Sequence, residues 1–276
     1  MASNLSGGEW VNFMMELAEY YKEKVMDKAA AIKVYEDALA RDPRNKLIIH
    51  ELIELYQSID QWKKVAKNMI LLAELEDDPK IRAKIWYSIG GVFREYIKSF
   101  DDAVEYYNRA LDDDPTNLKA FQYTDEILTK KKDWKLQERN YRKMIKRVMD
   151  SQPDNIALLT NLWHFLGEIY RTRLKDFKAA MAAFENAIQL DPANTTRHEI
   201  LAELYELAGP DTYDKAITKH HEILDRNVYN QESMKKLYRL YLETRNYDAA
   251  WCMSSVLATL KIAEAEELEF FNQYKP

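Results

Sequence analysis

The chain has 276 residues, of which 47% are hydrophobic and 31% charged, and its formal net charge is −6. This acidic balance argues against a nucleic-acid-binding module, which would usually be basic. The single cysteine, Cys252, excludes an internal disulfide and is typical of a reducing compartment.

Residues 1–9 are mostly small or polar, and we expect them to form a flexible tail. They contain neither a basic segment nor an apolar run, so no signal peptide is predicted. No stretch of the chain reaches the roughly 18 uncharged apolar residues that a membrane helix needs. The sequence therefore predicts a cytoplasmic protein that binds neither a membrane nor nucleic acid.

From Trp10 onward the chain repeats itself. A small residue, an aromatic, a second small residue and a proline recur at fixed spacing: Ala31–Tyr35–Ala38–Pro43, Ala103–Tyr107–Ala110–Pro115 and Ala180–Phe184–Ala187–Pro192. A second pattern precedes each of them: Met14–Leu17–Ala18–Tyr21, Trp86–Ile89–Gly90–Phe93 and Trp163–Leu166–Gly167–Tyr170. The spacing predicts helical hairpins, in which small residues allow close approach and each proline ends the second helix.

Weaker helical periodicity fills the gaps between these three repeats and continues after Pro192. Together the patterns predict seven hairpins over residues 10–260, at about 11–44, 45–79, 82–116, 117–152, 159–193, 194–229 and 230–260. No single hairpin can bury its own apolar faces, so neighbouring hairpins must stack.

Residues 262–276 are predicted to form one further helix. Its apolar stripe consists of Ile262, Ala265, Leu268 and Phe271. A single stripe is expected of a capping helix that covers the exposed end of a stack. The alternative is a dimer contact through Phe270, which falls off the stripe.

The repeated residues resemble the tetratricopeptide repeat (TPR) family. Its signature has Trp, Leu, Gly and Tyr in the first helix, and Ala, an aromatic, Ala and Pro around the second. The repeats that begin near Trp86 and Trp163 match all eight positions. The resemblance implies an all-α fold, a right-handed α-solenoid of about seven hairpins with the capping helix at its C-terminal end.

Two departures from the family pattern alternate along the chain. The first, third and fifth hairpins have one residue more between their helices than the family's unit. The second and fourth lack the closing proline and have Trp62 and Trp134 in the turn. The alternation is interpreted either as drift after duplication of a two-hairpin unit or as a division between core and contact roles.

No motif of catalysis stands out. The chain has no glycine-rich phosphate loop, no nucleophile elbow and no Cys-x-x-Cys pair. Its five histidines form no His-x-x-x-His pair, and Cys252 is interpreted as a buried apolar thiol. We therefore expect neither an enzyme nor a cofactor or metal site.

The resemblance implies that function resides in a concave groove lined by the first helices. Carried over position by position, the candidate protein-binding residues are Glu19, His50, Glu54, Tyr87, Arg94, Tyr123, Glu126, His164, Phe165, Glu168, Arg171 and Glu203. Aromatic residues at the centre would anchor a partner, and acidic residues towards the ends would attract a basic one. The alternative is that the first helices simply carry solvated charges and that the tyrosines fill gaps.

One well-known binding mode of the family is absent. A two-carboxylate clamp for chaperone tails needs Lys and Asn residues at set positions of three successive first helices. No register of this chain supplies them.

The sequence therefore predicts a non-catalytic scaffold that binds a protein or peptide partner through the groove, and the acidic ends of the groove favour a basic partner. The alternatives are a structural subunit of a larger complex that uses its end or convex faces, and a segment of a longer multidomain protein.

Overall fold

A computed structural model describes residues 7–274, in which all regular structure is helical and no strand occurs. The chain divides into two compact units, residues 1–133 and 134–276. The all-α repeat fold predicted from the sequence is confirmed.

Unit 1 contains seven α-helices in its described part. They are α1 (Gly7–Tyr20), α2 (Lys28–Arg41), α3 (Lys46–Gln57), α4 (Trp62–Glu74), α5 (Pro79–Val92), α6 (Phe100–Asp113) and α7 (Leu118–Lys131). Helix α1 begins at Gly7, inside the segment expected to be a tail, whereas residues 1–6 lie outside the described range.

Unit 2 contains eight α-helices up to residue 274. They are α8 (Trp134–Ser151), α9 (Ile156–Glu168), α10 (Phe177–Leu190), α11 (Thr195–Ala208), α12 (Tyr213–Arg226), α13 (Gln231–Glu243), α14 (Tyr247–Thr259) and α15 (Ala265–Gln273). Within each unit, helices that follow one another along the chain pack together.

A four-residue motif forms the turn between several hairpins. In Asp42–Asn45 the proline ends α2, and the Asn45 side chain accepts a hydrogen bond from the Ile48 amide (3.3 Å) at the start of α3. Asn117 and Asn194 cap α7 and α11 in the same way. Each such cap contributes about 1 kcal/mol.

Close packing of the two helices in a hairpin depends on the small residues. A methyl group on Gly90 would lie 2.6 Å from the Tyr107 ring, and one on Gly167 would lie 2.8 Å from the Phe184 ring. Both rings are almost fully buried. The small residue and the aromatic of the sequence pattern are therefore direct packing partners.

The extra residue of the odd hairpins forms a π-helical turn at the end of the first helix. These turns are Tyr21–Val25, Phe93–Ile97 and Ile169–Leu174. Each ends in a left-handed residue, namely Met26, Lys98 and Lys175. The next amide closes the turn by donating six residues back, as Ser99 does to the Phe93 carbonyl (3.0 Å). An added residue is thus absorbed without a longer loop.

Trp62 and Trp134 pack against these π-helical turns. The Trp62 and Tyr96 rings are stacked at 3.5 Å in unit 1. In unit 2 the Arg173 guanidinium lies 4.7 Å from the centre of the Trp134 ring. The tryptophan of an even hairpin thus supports the longer first helix of the next odd hairpin, which accounts for the alternation along the chain.

Tyrosines of first helices join the hairpins by hydrogen bonding to glutamates of the preceding second helix. Tyr56 donates to Glu36, Tyr170 to Glu138 and Tyr205 to Glu185. Burial and the adjacent carboxylate raise the pKa of all three phenols above the usual range. The tyrosines therefore remain protonated donors at neutral pH.

The register of α15 differs from the predicted stripe. Phe270 packs edge-on against Tyr238 of α13 with ring centres 5.8 Å apart, whereas Leu268 is exposed. The helix begins at Ala265, after Lys261 adopts the left-handed conformation, and this rotates the buried face. Cys252 of α14 is exposed, so its interpretation as a buried thiol is wrong.

Candidate protein-binding surface

The predicted residues of unit 1 lie on α1, α3, α5, α7 and the π-helical turn after α5. We call the surface that they line the first-helix surface of unit 1; its residues are Glu19, His50, Glu54, Tyr87, Arg94, Tyr123 and Glu126. In both odd hairpins of unit 1, a cation in the π-helical turn reaches the next first helix. Lys22 pairs with Glu51 of α3 at 2.7 Å, and Arg94 lies over the Tyr123 ring of α7 at 3.5 Å. The π-helical turns therefore position the side chains that link one first helix to the next.

Three tyrosines form a cluster at the α5–α7 end of this surface. The Tyr87 ring lies 5.7 Å from Tyr107 and 6.3 Å from Tyr123, and Tyr107 lies 5.6 Å from Tyr123. Tyr107 is buried, whereas Tyr87 and Tyr123 are half-buried and reach the surface. The structure thus brings together the predicted residues Tyr87, Arg94 and Tyr123.

The pKa values of the three phenols are not all shifted in the same direction. Burial raises the pKa of Tyr107 and of Tyr87, whereas a hydrogen bond from Arg94 lowers the pKa of Tyr123. Sequence reasoning placed Tyr107 in the hairpin packing pattern and missed its contact with the surface residues. The available signal was Gly90, since a missing side chain there brings the Tyr107 ring towards α5.

A depression beside the tyrosine cluster has a charged lining. Arg94, Lys98, Lys130 and Lys131 contribute cations, Glu95 and Glu126 contribute carboxylates, and Phe100 is partly exposed there. Glu126, a predicted site residue on its rim, pairs with Lys130 at 2.6 Å, which lowers the Glu126 pKa. Arg94 likewise pairs with Glu95, and Lys131 with Asp101, so this end of the surface combines aromatic rings with ion pairs.

The α1–α3 end is acidic. Glu19 accepts a hydrogen bond from the Tyr35 hydroxyl (3.2 Å), and Glu54 lies 3.9 Å from the Lys22 ammonium. His50 is exposed on α3. The predicted residues Glu19 and Glu54 thus belong to one charged region around Lys22.

Unit 2 contains a second group of predicted residues, on α9 and its π-helical turn. Phe165 is 52% exposed, and its ring centre lies 5.5 Å from that of His164. Burial, reinforced by the Arg197 charge, lowers the pKa of His164 below its usual range. Arg171 pairs with Glu168 of its own hairpin at 3.0 Å, unlike the equivalent cations Lys22 and Arg94.

A partly buried ionic network between α11, α12 and α13 was not predicted from the sequence. Glu206 contacts His220 at 3.0 Å and Lys236 at 2.9 Å, and the other His220 nitrogen lies 3.1 Å from the Ser233 hydroxyl. Glu203, the predicted site residue one turn away, is exposed. Only the apolar periodicity around these positions was visible in the sequence, and it predicts burial but not ion pairing.

Residues 7–274 contain neither a cluster of potential metal ligands nor a helix that could span a membrane. No group of three or more His, Cys, Asp and Glu side chains is arranged to hold a metal ion there. None of the helices in the same range combines the length and the apolar character needed to cross a membrane.

Comparison with known proteins identifies relatives of the chain. The tetratricopeptide repeat family matches residues 160–194. ER membrane protein complex subunit 2 of Xenopus tropicalis is 28% identical over 155 residues, which cover 56% of this chain and 48% of that protein. The chain therefore spans about half the length of the curated relatives it matches.

Two solved structures are similar over most of the chain at low identity. The C-terminal part of a TPR repeat-containing protein from Cytophaga hutchinsonii is 15% identical, covers 95% of this chain and 98% of its own, and has a TM-score of 0.43. The structure of Naa15/Naa10 bound to HypK-THB gives 13% identity, coverage of 95% and 38%, and a TM-score of 0.45.

The predicted cytoplasmic location is wrong, because the curated relatives are subunits of an ER membrane protein complex and point to an ER-associated location. The family assignment from the sequence, by contrast, is confirmed. Helical hairpins repeat along both units, and glycine and aromatic residues of the repeated pattern pack against each other. The chain is an array of TPR-like helical hairpins, in which residues 160–194 match the tetratricopeptide repeat family.

Proposed function

We propose that this chain is a non-catalytic scaffold that binds a protein or peptide partner on the first-helix surface of unit 1. The TPR fold implies an interaction scaffold or a subunit of a complex, and TPR scaffolds are generally non-catalytic. The observation that carries the proposal is the cluster of Tyr87, Tyr107 and Tyr123 with Arg94 stacked on it.

This cluster has the features of a binding anchor. Tyrosine and arginine are enriched among the residues that dominate interface energies, especially where neighbouring groups exclude water. Tyr107 fixes the two outer rings from below, so Tyr87 and Tyr123 lose little conformational freedom when a partner binds. Each half-buried ring still has a hydroxyl and a ring edge that a partner can contact.

The partner is proposed to belong to a multiprotein assembly at the endoplasmic reticulum. The support is the similarity to ER membrane protein complex subunit 2, which extends over about half of each protein. In unit 2, exposed Phe165 beside His164 supplies a further apolar contact for such a partner.

A second candidate function is that of a structural subunit that uses an end face. It is favoured by a depression between α14 and α15, which is lined by Asp248 and by the mainly aromatic residues Tyr247, Trp251, Cys252, Phe270 and Tyr274. Tyr247 and Tyr274 are each 57% exposed. The two candidates place the partner contacts on different helices.

Affinity capture from detergent-solubilised ER membranes of the source organism tests both. Wild type is compared with Tyr123→Ala/Phe165→Ala, with the end-face variant Tyr247→Ala, and with Tyr229→Ala as a control at a loop residue that is 73% exposed. The proposal predicts that membrane-complex subunits identified by mass spectrometry are lost only in the double variant. Their loss only in Tyr247→Ala would favour the end-face role and contradict the first-helix surface.

A further inference from the structure

We propose that the α1–α3 end of the first-helix surface binds a basic amphipathic segment of the partner, in which Lys or Arg residues flank one bulky apolar side chain. This inference rests on the proposed function and specifies the chemistry of the partner. It follows from the shape, charge and unpaired carboxylates of a single depression in unit 1.

The depression has an apolar floor that is open to solvent. Met15, Tyr20 and Leu47 line it, and Leu47 is 66% exposed while Tyr20 is 57% exposed. Burial of such a side chain against a partner removes its apolar surface from water and stabilises the complex. An apolar residue of the partner therefore has a defined place to bind.

The rim of the depression is strongly acidic. Glu16, Glu19, Glu23 and Glu51 line it, and Lys24 is the cation that lines it with them. The first three of these glutamates follow a spacing of three and four residues, which places them on one face of α1 and its π-helical turn. Like charges at this spacing repel one another, and a cationic partner would relieve that repulsion.

Two of these carboxylates, Glu16 and Glu23, are not neutralised by a cation of the described residues. Within residues 7–274, Glu16 and Glu23 have neither an ion pair nor a hydrogen bond from a side chain, and Lys22 is committed to Glu51 at 2.7 Å. Burial and then the charges of Glu51, Glu19 and Glu54 raise the pKa of Tyr35 beneath them. The region therefore has a negative potential that complementary charges on a partner would satisfy.

The other end of the surface offers a basic segment no comparable set of unpaired carboxylates. Beside the α5–α7 depression, Glu95 pairs with Arg94, Glu126 with Lys130 and Asp101 with Lys131. The unpaired carboxylates of Glu16 and Glu23 therefore favour the α1–α3 end as the place where the basic segment binds.

The proposal is tested with three short fluorescein-labelled peptides and the full chain, by fluorescence anisotropy. One peptide contains Lys and Leu, one Lys and Ser, and one Glu and Leu. The Lys/Leu peptide is expected to bind most tightly and to weaken as salt is raised. Equal binding of the Lys/Leu and Lys/Ser peptides would overturn the apolar part of the proposal, and tighter binding of the Glu/Leu peptide would overturn all of it.

Matched variants locate the binding. Glu16→Gln/Glu23→Gln is expected to weaken the Lys/Leu peptide about tenfold, which corresponds to about 1.4 kcal/mol. Asp37→Asn/Asp225→Asn removes the same charge at exposed positions on α2 and α12 and should change affinity less than about twofold. Leu47→Ala should weaken binding several-fold, and Leu207→Ala, 63% exposed on α11, should not. Equal effects of the two charge variants would overturn the proposal, because net charge alone would then explain binding.

Capture from ER membranes separates this inference from the proposed function. If Glu16→Gln/Glu23→Gln retains the partner and Tyr123→Ala/Phe165→Ala loses it, the scaffold function holds and the basic-segment inference is wrong. If both double variants lose the partner while circular dichroism shows unchanged helix content, the scaffold function and the basic-segment inference are both supported. If neither loses it, both are wrong.

Discussion

Gly90 and Tyr107 are in direct contact across a hairpin, and the ring occupies the space that a side chain at Gly90 would need. A Cβ atom there would lie 2.6 Å from two carbons of the ring, which is only 1% exposed and has no room to move. The same ring contacts Tyr87 and Tyr123, so this glycine also fixes the aromatic cluster of the first-helix surface.

Gly90→Ala is therefore expected to destabilise unit 1 by about 1–3 kcal/mol, because overpacking forces the ring or the helix to shift. Gly91→Ala is the matched control, since nothing lies within 4 Å of a Cβ at that position. It should stabilise α5 by about 0.5–1 kcal/mol, the helix preference of alanine over glycine. Urea unfolding measures both. Equal destabilisation by the two variants would contradict the packing argument.

The stack of Trp62 on Tyr96 predicts an energetic coupling between an even hairpin and the following odd one. A double-mutant cycle of Trp62→Ala and Tyr96→Ala should give a coupling of about 0.5–1.5 kcal/mol, as found for aromatic pairs. A cycle of Trp62→Ala with exposed Tyr229→Ala should give none. Additivity in the first cycle would show that the contact does not link the hairpins.

The register of α15 predicts different effects for two of its apolar residues. Phe270→Ala should destabilise unit 2 by about 1–3 kcal/mol, because its ring packs on Tyr238 and joins the core of α13 and α14. Leu268→Ala, at an exposed position, should change stability by less than about 0.5 kcal/mol. Thermal unfolding of the two variants tests this. A larger loss of stability in Leu268→Ala than in Phe270→Ala would support the apolar stripe predicted from the sequence instead.

The partly buried network of Glu206 predicts acid sensitivity in unit 2. Burial alone would raise the Glu206 pKa, but hydrogen bonds from His220 and Lys236 outweigh it and hold the pKa below its usual range. The folded state then binds fewer protons than the unfolded state. The resulting stabilisation is complete above the ordinary Glu pKa of about 4.3 and is lost as pH falls through the lower folded-state pKa.

Glu206→Gln should therefore lower the free energy of unfolding at neutral pH. The difference in this free energy between the variant and wild type should become smaller as the pH falls below about 4. Glu203→Gln, one turn away on the exposed side of α11, should leave the pH dependence unchanged. The measurement is the urea midpoint as a function of pH. A constant difference between Glu206→Gln and wild type across this range would contradict the assigned pKa direction.

Much of the fold was predictable because the strong repeats place glycine, alanine and aromatic residues where the helices cross. Gly90 with Tyr107 and Gly167 with Phe184 are pairs that the spacing itself defines. The extra residue of the odd hairpins could be counted in the sequence. Its π-helical conformation could not, because composition does not distinguish a longer loop from a widened last turn.

The sequence predicts which residues belong to the candidate surface, but it does not predict which of their side chains contact one another. Tyr87 and Tyr123 follow from the repeat alignment, whereas the stacking of Arg94 on Tyr123 depends on where the π-helical turn directs its side chain. The orientation of Phe270 was mistaken because the stripe assumed a helix that begins at Ile262. The left-handed Lys261 and the later start at Ala265 rotate the face that is buried.

Site-specific photo-crosslinking tests the central claim, that a partner binds the first-helix surface of unit 1, most directly. A photoreactive amino acid is placed at Gln122, which is exposed beside Tyr123 on α7, and in a control at Tyr229 in the α12–α13 loop. Both proteins are irradiated with ER membranes of the source organism. The account predicts a discrete crosslinked subunit from position 122 and none from position 229. A crosslink to the same subunit from position 229 alone would contradict it.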